Sequence, residues 1–184
     1  MAGTMRTSRI VVAAILTVAL VAPLGAQSAA ESATHRRLAA RIQTLEDTSA
    51  IQRLLLEYGR TLDARDFKAY SQLFAKDGVW QGGMGTVQGP AAIQAFMEKA
   101  IPGPNSVHNH HILSNFVIDV TGDTATAWSR WMFMVPGPNN TAVAAQSGRY
   151  DDTLVREDGK WKFKRRVAAN DIPAGGPPPA QLTK

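Results

Sequence analysis

The sequence predicts an α+β fold in which three N-terminal helices pack on one strongly curved, mostly antiparallel sheet. Apolar residues recur at helical spacing as far as Ile101, and from His111 onward they give way to four β-branched or aromatic runs. The turns between those runs are short, so consecutive strands form an antiparallel meander. Helices first and a long sheet second is an α+β layout. Three helices on the concave side of such a sheet make a cone with an apolar pocket, a natural small-molecule site. The chain has 184 residues, 45% of them apolar and 19% charged, and no cysteine. That suits one domain with appendages and excludes a disulfide scaffold, a thiolate nucleophile and Cys-ligated metal.

At the N-terminus, Arg6 and Arg9 precede the apolar run Ile10–Val21, and Ala22-Pro23-Leu24-Gly25-Ala26 and Ser28-Ala29-Ala30 follow. These are the three parts of a secretory signal peptide. A spanning helix needs ~20 apolar residues, and Pro23 and Gly25 close the run short of that. Residues 1–30 are therefore read as a leader cut near Ala26 or Ala30. The expected location is periplasmic or secreted, with no stable membrane anchor after cleavage. Loss of Arg6 and Arg9 lowers the formal net charge from +5 to +3. So small an excess gives no reason to expect nucleic acid as a partner. The densest basic stretch, Lys160 to Arg166, alternates with Trp161 and Phe163 as a half-buried strand does.

Residues 31–46 read as a helical lead-in, with Leu38, Ile42 and Leu45 at helical spacing, before a domain over 47–172. Asp47 or Thr48 is the expected cap of the next helix, whose stripe is Ile51, Leu54, Leu55, Tyr58 and Leu62. Asp66 caps a second helix through Phe74, and Asp77-Gly78 breaks it. Val79-Trp80-Gln81 is a short strand, turned by Gly82-Gly83-Met84-Gly85 into Thr86-Val87. Gly89-Pro90 opens a third helix ending near Ile101. The four long strands follow as His111–Val120, Thr124–Val135, Val143–Arg156 and Trp161–Ala169. Residues 173–184, rich in Pro and Gly, form a tail.

Polar groups among the apolar positions are the informative ones. Tyr58 lies on the first long helix's buried stripe, where it is either a core aromatic or a pocket group. Asp63 sits at the flank of that stripe, as either a solvated carboxylate or a partner for a base. In Val107-His108-Asn109-His110-His111, strand alternation sets His111 opposite to His108 and His110. There is no HExxH motif and no third ligand at metal spacing, so no metal and no cofactor is expected. An imidazole acting as a proton-transfer base fits better. Trp80, Trp128 and Trp131 are core or pocket wall, and Arg149, Asp151 and Asp152 read as a surface charge pattern. Nothing surrounds Ser114 like a nucleophile elbow, and the glycines at 82–85 match no phosphate loop.

The run Ile51-Gln-Arg-Leu-Leu-Leu-Glu-Tyr58-Gly-Arg-Thr-Leu-Asp63-Ala-Arg-Asp66-Phe, with Asp77-Gly78-Val-Trp80 and Gly89-Pro-Ala-Ala-Ile93, resembles the SnoaL-like branch of the NTF2-like superfamily. So do His111-Ile-Leu-Ser-Asn115 and Gly148-Arg-Tyr150-Asp-Asp152. The resemblance spans about residues 45–172 and implies the NTF2-like cone. Its helix-one spacing is similar to that of scytalone dehydratase and bile-acid 7α-dehydratase. It therefore implies Tyr58, Asp63 and His111 as catalytic residues, with His110 as the alternative if the strand register differs by one. Trp80, Trp131, Met134, His110 and Asn170 are the implied substrate-binding positions. Two departures stand out: the bile-acid enzyme's second-strand Asp falls at Met134 here, and its last-strand Arg falls near Asn170. The reaction the resemblance implies is a cofactor-independent dehydration or isomerisation of a small apolar hydroxy or carbonyl compound. The alternative is a non-catalytic ligand-binding protein. Family membership also implies a homo-oligomer, trimer or dimer.

Overall fold

The structure, a computed structural model, describes residues 24–105 and 108–173. The leader expected over 1–30 thus falls largely outside the described residues, as does all but the start of the tail. The chain divides into two units, residues 1–40 and 41–184. Helix α1 covers Leu24–Ala64. Its early apolar positions are solvated, Leu38, Ile42 and Leu45 being 47%, 55% and 70% exposed. No helix among the described residues is long and apolar enough to cross a membrane.

The helix break expected at Asp47 does not occur, because both capping side chains are engaged elsewhere. Thr48 Oγ1 donates back to the Thr44 carbonyl (2.8 Å). Asp47 Oδ1 accepts from Arg156 (2.6 Å), Trp161 Nε1 (3.1 Å) and Gln43 (3.2 Å), which ties the helix to the sheet. Burial opposes ionisation of Asp47, but those hydrogen bonds outweigh it and hold its pKa below the ordinary carboxylate value. Beyond this clamp, Ile51, Leu54, Leu55, Tyr58 and Leu62 are all buried. Each such aliphatic side chain contributes about 1.5–3 kcal/mol through burial.

Helix α1 ends in a pair of reverse hydrogen bonds, Arg65 N to Leu62 O (3.1 Å) and Asp66 N to Thr61 O (3.0 Å). That is a Schellman stop, with Arg65 at the left-handed position (φ 59°). Asp66 then caps α2, Phe67–Ser71, by accepting from Ala69 N (3.0 Å). The second helix is shorter than expected, and β1 begins at once, as Phe74–Gly82. β2 (Gly85–Gln88), α3 (Pro90–Ala100), β3 (His110–Thr121), β4 (Thr124–Pro136), β5 (Ala142–Glu157) and β6 (Lys160–Ile172) complete the order.

The sheet order is β2-β1-β6-β5-β4-β3, antiparallel throughout except for the parallel pair β1–β6. The expected meander is present over the last four strands. Its inward face is a set of paired layers: His111 opposite Phe133, Leu113 opposite Trp131, Tyr150 opposite Ala168, and Asp152 opposite Arg166. Among the described residues the meander has four register shifts. In β3 the register shifts between Ser114 and Val117, around Asn115 at φ 54°. In β6 one extra residue sits between Phe163, opposite Leu154, and Arg165, opposite Thr153. Such bulges bend and twist a strand.

The β6 bulge changes which residue faces inward. Without it the alternation from Trp161 and Phe163 would continue to Arg165; with it, Arg166 turns into the core and is fully buried. There it makes a bidentate pair with Asp152, at 2.8 and 2.6 Å. Asp152 is therefore not part of a surface charge pattern. Burial works against the charge of Arg166, but the carboxylate beside it prevails and raises its pKa. Trp128 lies half-buried on the outward face, near the Arg130 guanidinium.

Candidate active site

A cavity of about 390 Å³ opens between the end of α1, the β1–β2 hairpin and the inward face of β3 to β6. That volume lies near the lower end for small-molecule sites (~300–1,000 Å³). Its wall is largely aromatic: Tyr58, Trp80, Trp131, Phe133 and Tyr150. Its polar groups are His111, Gln146, Asn170, Arg65 and the Tyr58 hydroxyl. A larger hollow near Leu45 and Trp161 lies at the other end of the sheet and contains neither His111 nor Tyr58.

Helix α1 and strand β3 meet at Asp63 and His111. Asp63 Oδ1 lies 2.6 Å from His111 Nδ1, while Oδ2 accepts the His111 backbone N–H at 2.8 Å. One carboxylate thus fixes both the ring and the start of its strand. Both side chains are largely shielded, at 13% exposure for His111 and 20% for Asp63. With Nδ1–H given to Asp63, the neutral ring keeps its lone pair on Nε2. The ring packs on Phe133, centroid to centroid 4.8 Å.

The segment entering β3 is held to the helix end by Asn105, whose Nδ2 donates to the Asp63 carbonyl (3.0 Å) and whose Oδ1 accepts from Asn109 N (3.0 Å). An Asn after Pro-Gly-Pro carries a turn signal, but no local pattern shows that it bridges to residue 63. Tyr58 OH accepts from Trp80 Nε1 (3.1 Å). Because the indole nitrogen can only donate, the Tyr58 proton is left for another acceptor. Tyr150 is buried behind them, and burial raises its pKa well above the ordinary phenol value, so it stays neutral.

Tyr58, His111, Trp80, Trp131 and Asn170 all line this cavity, and Asp63 reaches it through His111. His110 and Met134 do not line it. His110 is exposed, its Nδ1 set against the His108 carbonyl (3.2 Å). Strand alternation accounts for both: each follows or precedes an inward neighbour, His111 or Phe133, and so points the other way. His108 is likewise exposed, and no group of three potential metal ligands occurs among the described residues.

Arg65, Gln146 and Tyr150 also line the wall, and no local pattern marked them for it. Gly148, behind Trp131, was equally unmarked. A methyl group there would lie 2.0 Å from the Ala169 carbonyl oxygen and 2.6 Å from Trp131 Cζ2. Only glycine lets the Trp131 indole lie flat on the strand behind it.

A helix-covered conical sheet with an aromatic cavity at one end defines an NTF2-like protein. The SnoaL-like domain profile matches residues 43–167, and the chain belongs to that family. The uncharacterized protein Rv2910c of Mycobacterium tuberculosis is 30% identical over 131 residues, 68% of this chain and 86% of that protein. An NTF2-like protein with a cystatin-like fold from Novosphingobium aromaticivorans is 30% identical, with a TM-score of 0.65 over 73% of this chain and 88% of that one. A protein of the same organism, provisionally assigned as a scytalone dehydratase, is 25% identical, with a TM-score of 0.56 over 69% of this chain and 85% of that one.

Proposed function

We propose that this protein is an exported, cofactor-independent dehydratase or isomerase acting on a small apolar hydroxy or carbonyl compound. The observation that carries the reading is the 2.6 Å contact between Asp63 and the His111 ring at the wall of an aromatic cavity. Asp63 orients the ring and stabilises the imidazolium that forms when Nε2 takes a proton. Nε2 removes a proton from the carbon next to a carbonyl. In elimination the same proton returns to the departing hydroxyl, which leaves as water; in isomerisation it returns to another carbon. Tyr58 donates to the oxygen that gains negative charge, an interaction worth several kcal/mol in a water-poor site. A positioned base contributes ~10²–10⁴-fold. The leader-like N-terminus supports export to the periplasm or medium, and the family supports a homo-oligomer.

Incubation with a metabolite mixture, followed by mass analysis, tests the reading. The native protein should convert at least one hydroxy-carbonyl compound with loss of 18 mass units or with none. His111→Ala should lose about 10²-fold or more of kcat/KM with its circular dichroism unchanged. Equal turnover by the variant would remove His111 from the chemistry. A second reading, a binder without chemistry, has one observation in its favour: the cavity wall itself contains no Asp or Glu. It predicts compounds retained with both mass and chromatographic retention time unaltered, whereas an isomerised product keeps its mass but changes its retention time.

A further inference from the structure

We infer that Arg65 makes this cavity a site for anionic compounds, docking a carboxylate at its partly exposed guanidinium while the apolar body lies among the aromatic rings. The inference rests on the proposed function and narrows its substrate class. Arg65 is the one Arg or Lys among the residues that line the cavity. The acids beside it in sequence are already engaged, Asp63 with His111 and Asp66 with the N-terminus of α2. No ion pair forms at Arg65 among the described residues. One guanidinium nitrogen, Nη1, donates to the Leu62 carbonyl (2.9 Å), which holds the group against its own helix end. Its other N–H groups are open to a ligand, and a guanidinium fork matches a carboxylate in shape and charge.

The backbone gives a second, independent reason. Arg65 occupies the left-handed position of the Schellman stop, at φ 59°, where glycine is the residue the geometry favours. A long side chain in that conformation carries a steric cost, and its side-chain hydrogen bond goes back to its own helix end at Leu62. Strain of this kind collects at ligand clamps. Gln146 and Asn170, also in the wall, supply neutral hydrogen bonds but no charge. Besides Arg65, the group in the wall able to carry positive charge is His111, and Asp63 already balances it.

Binding of 2-naphthoate and of its neutral analogue 2-naphthamide, followed by tryptophan fluorescence and calorimetry, tests this in the full chain. The wild type should prefer the carboxylate. Arg65→Gly should keep or raise Tm, because glycine relieves the strain, and should weaken naphthoate binding on the order of tenfold with naphthamide unchanged. His111→Ala should retain the preference for the carboxylate. Naphthoate binding that survives Arg65→Gly, or equal loss of both probes, overturns the anion site and leaves the His111–Asp63 chemistry standing. Failure of both probes to bind the wild type at millimolar concentration overturns the anion site and the ligand cavity together.

Discussion

At Tyr58 a single hydroxyl has two tasks, each read by a different measurement. It accepts from the Trp80 indole at 3.1 Å, and in the proposed reaction it donates to a developing oxyanion. Tyr58→Phe removes both. The loss leaves a buried N–H unpaired, which costs about 1–3 kcal/mol of stability and is read as a lowered Tm. The effect on turnover should be larger in proportion, with kcat falling roughly 10²-fold and KM little changed. A rise in KM alone would mean that the hydroxyl binds the substrate without stabilising charge. Tyr58 and Asp63 were legible as residues of interest because each sits on or beside a clean helical stripe, and the family pattern joined them to His111. The Trp80 partnership was not legible, since twenty-two positions separate the two side chains and no local period connects them.

Among the elements, β6 shows where sequence pattern misleads. Alternation through Trp161 and Phe163 fits a half-buried strand, but one extra residue shifts the phase and sends Arg166 inward. Its guanidinium carbon lies 3.9, 4.0 and 4.2 Å from the ring centres of Tyr58, Tyr150 and Phe163, and Asp152 closes the pair across the ladder. Removing one partner leaves an uncompensated buried charge. Arg166→Met should therefore cost about 3–5 kcal/mol in urea denaturation, and adding Asp152→Leu should recover much of that loss. Purely additive losses would show that the two groups are not energetically coupled. The same bulge bends the strand that carries Ala168 and Asn170 to the cavity. Thus the buried pair supports the floor on which Tyr58 rests.

For the whole molecule, the α+β layout, the turn positions and all four long strands could be read locally, because periodicity and Gly, Pro, Asn and Asp turns are local signals. What escaped was non-local. The parallel pairing of β1 with β6 joins residues from the two ends of the domain. The unbroken α1 follows from Asp47 being claimed by Arg156 and Trp161 on the far strands. The cavity is the meeting place of these distant parts, so its aromatic wall was only partly visible while its catalytic candidates were. The account turns on the proton at His111. Nitrogen-15 and proton NMR of the imidazole should show Nδ1 protonated in a strong hydrogen bond and Nε2 bare, with that signature lost in Asp63→Asn. A ring protonated at Nε2, or one whose spectrum ignores the Asp63 substitution, would contradict it.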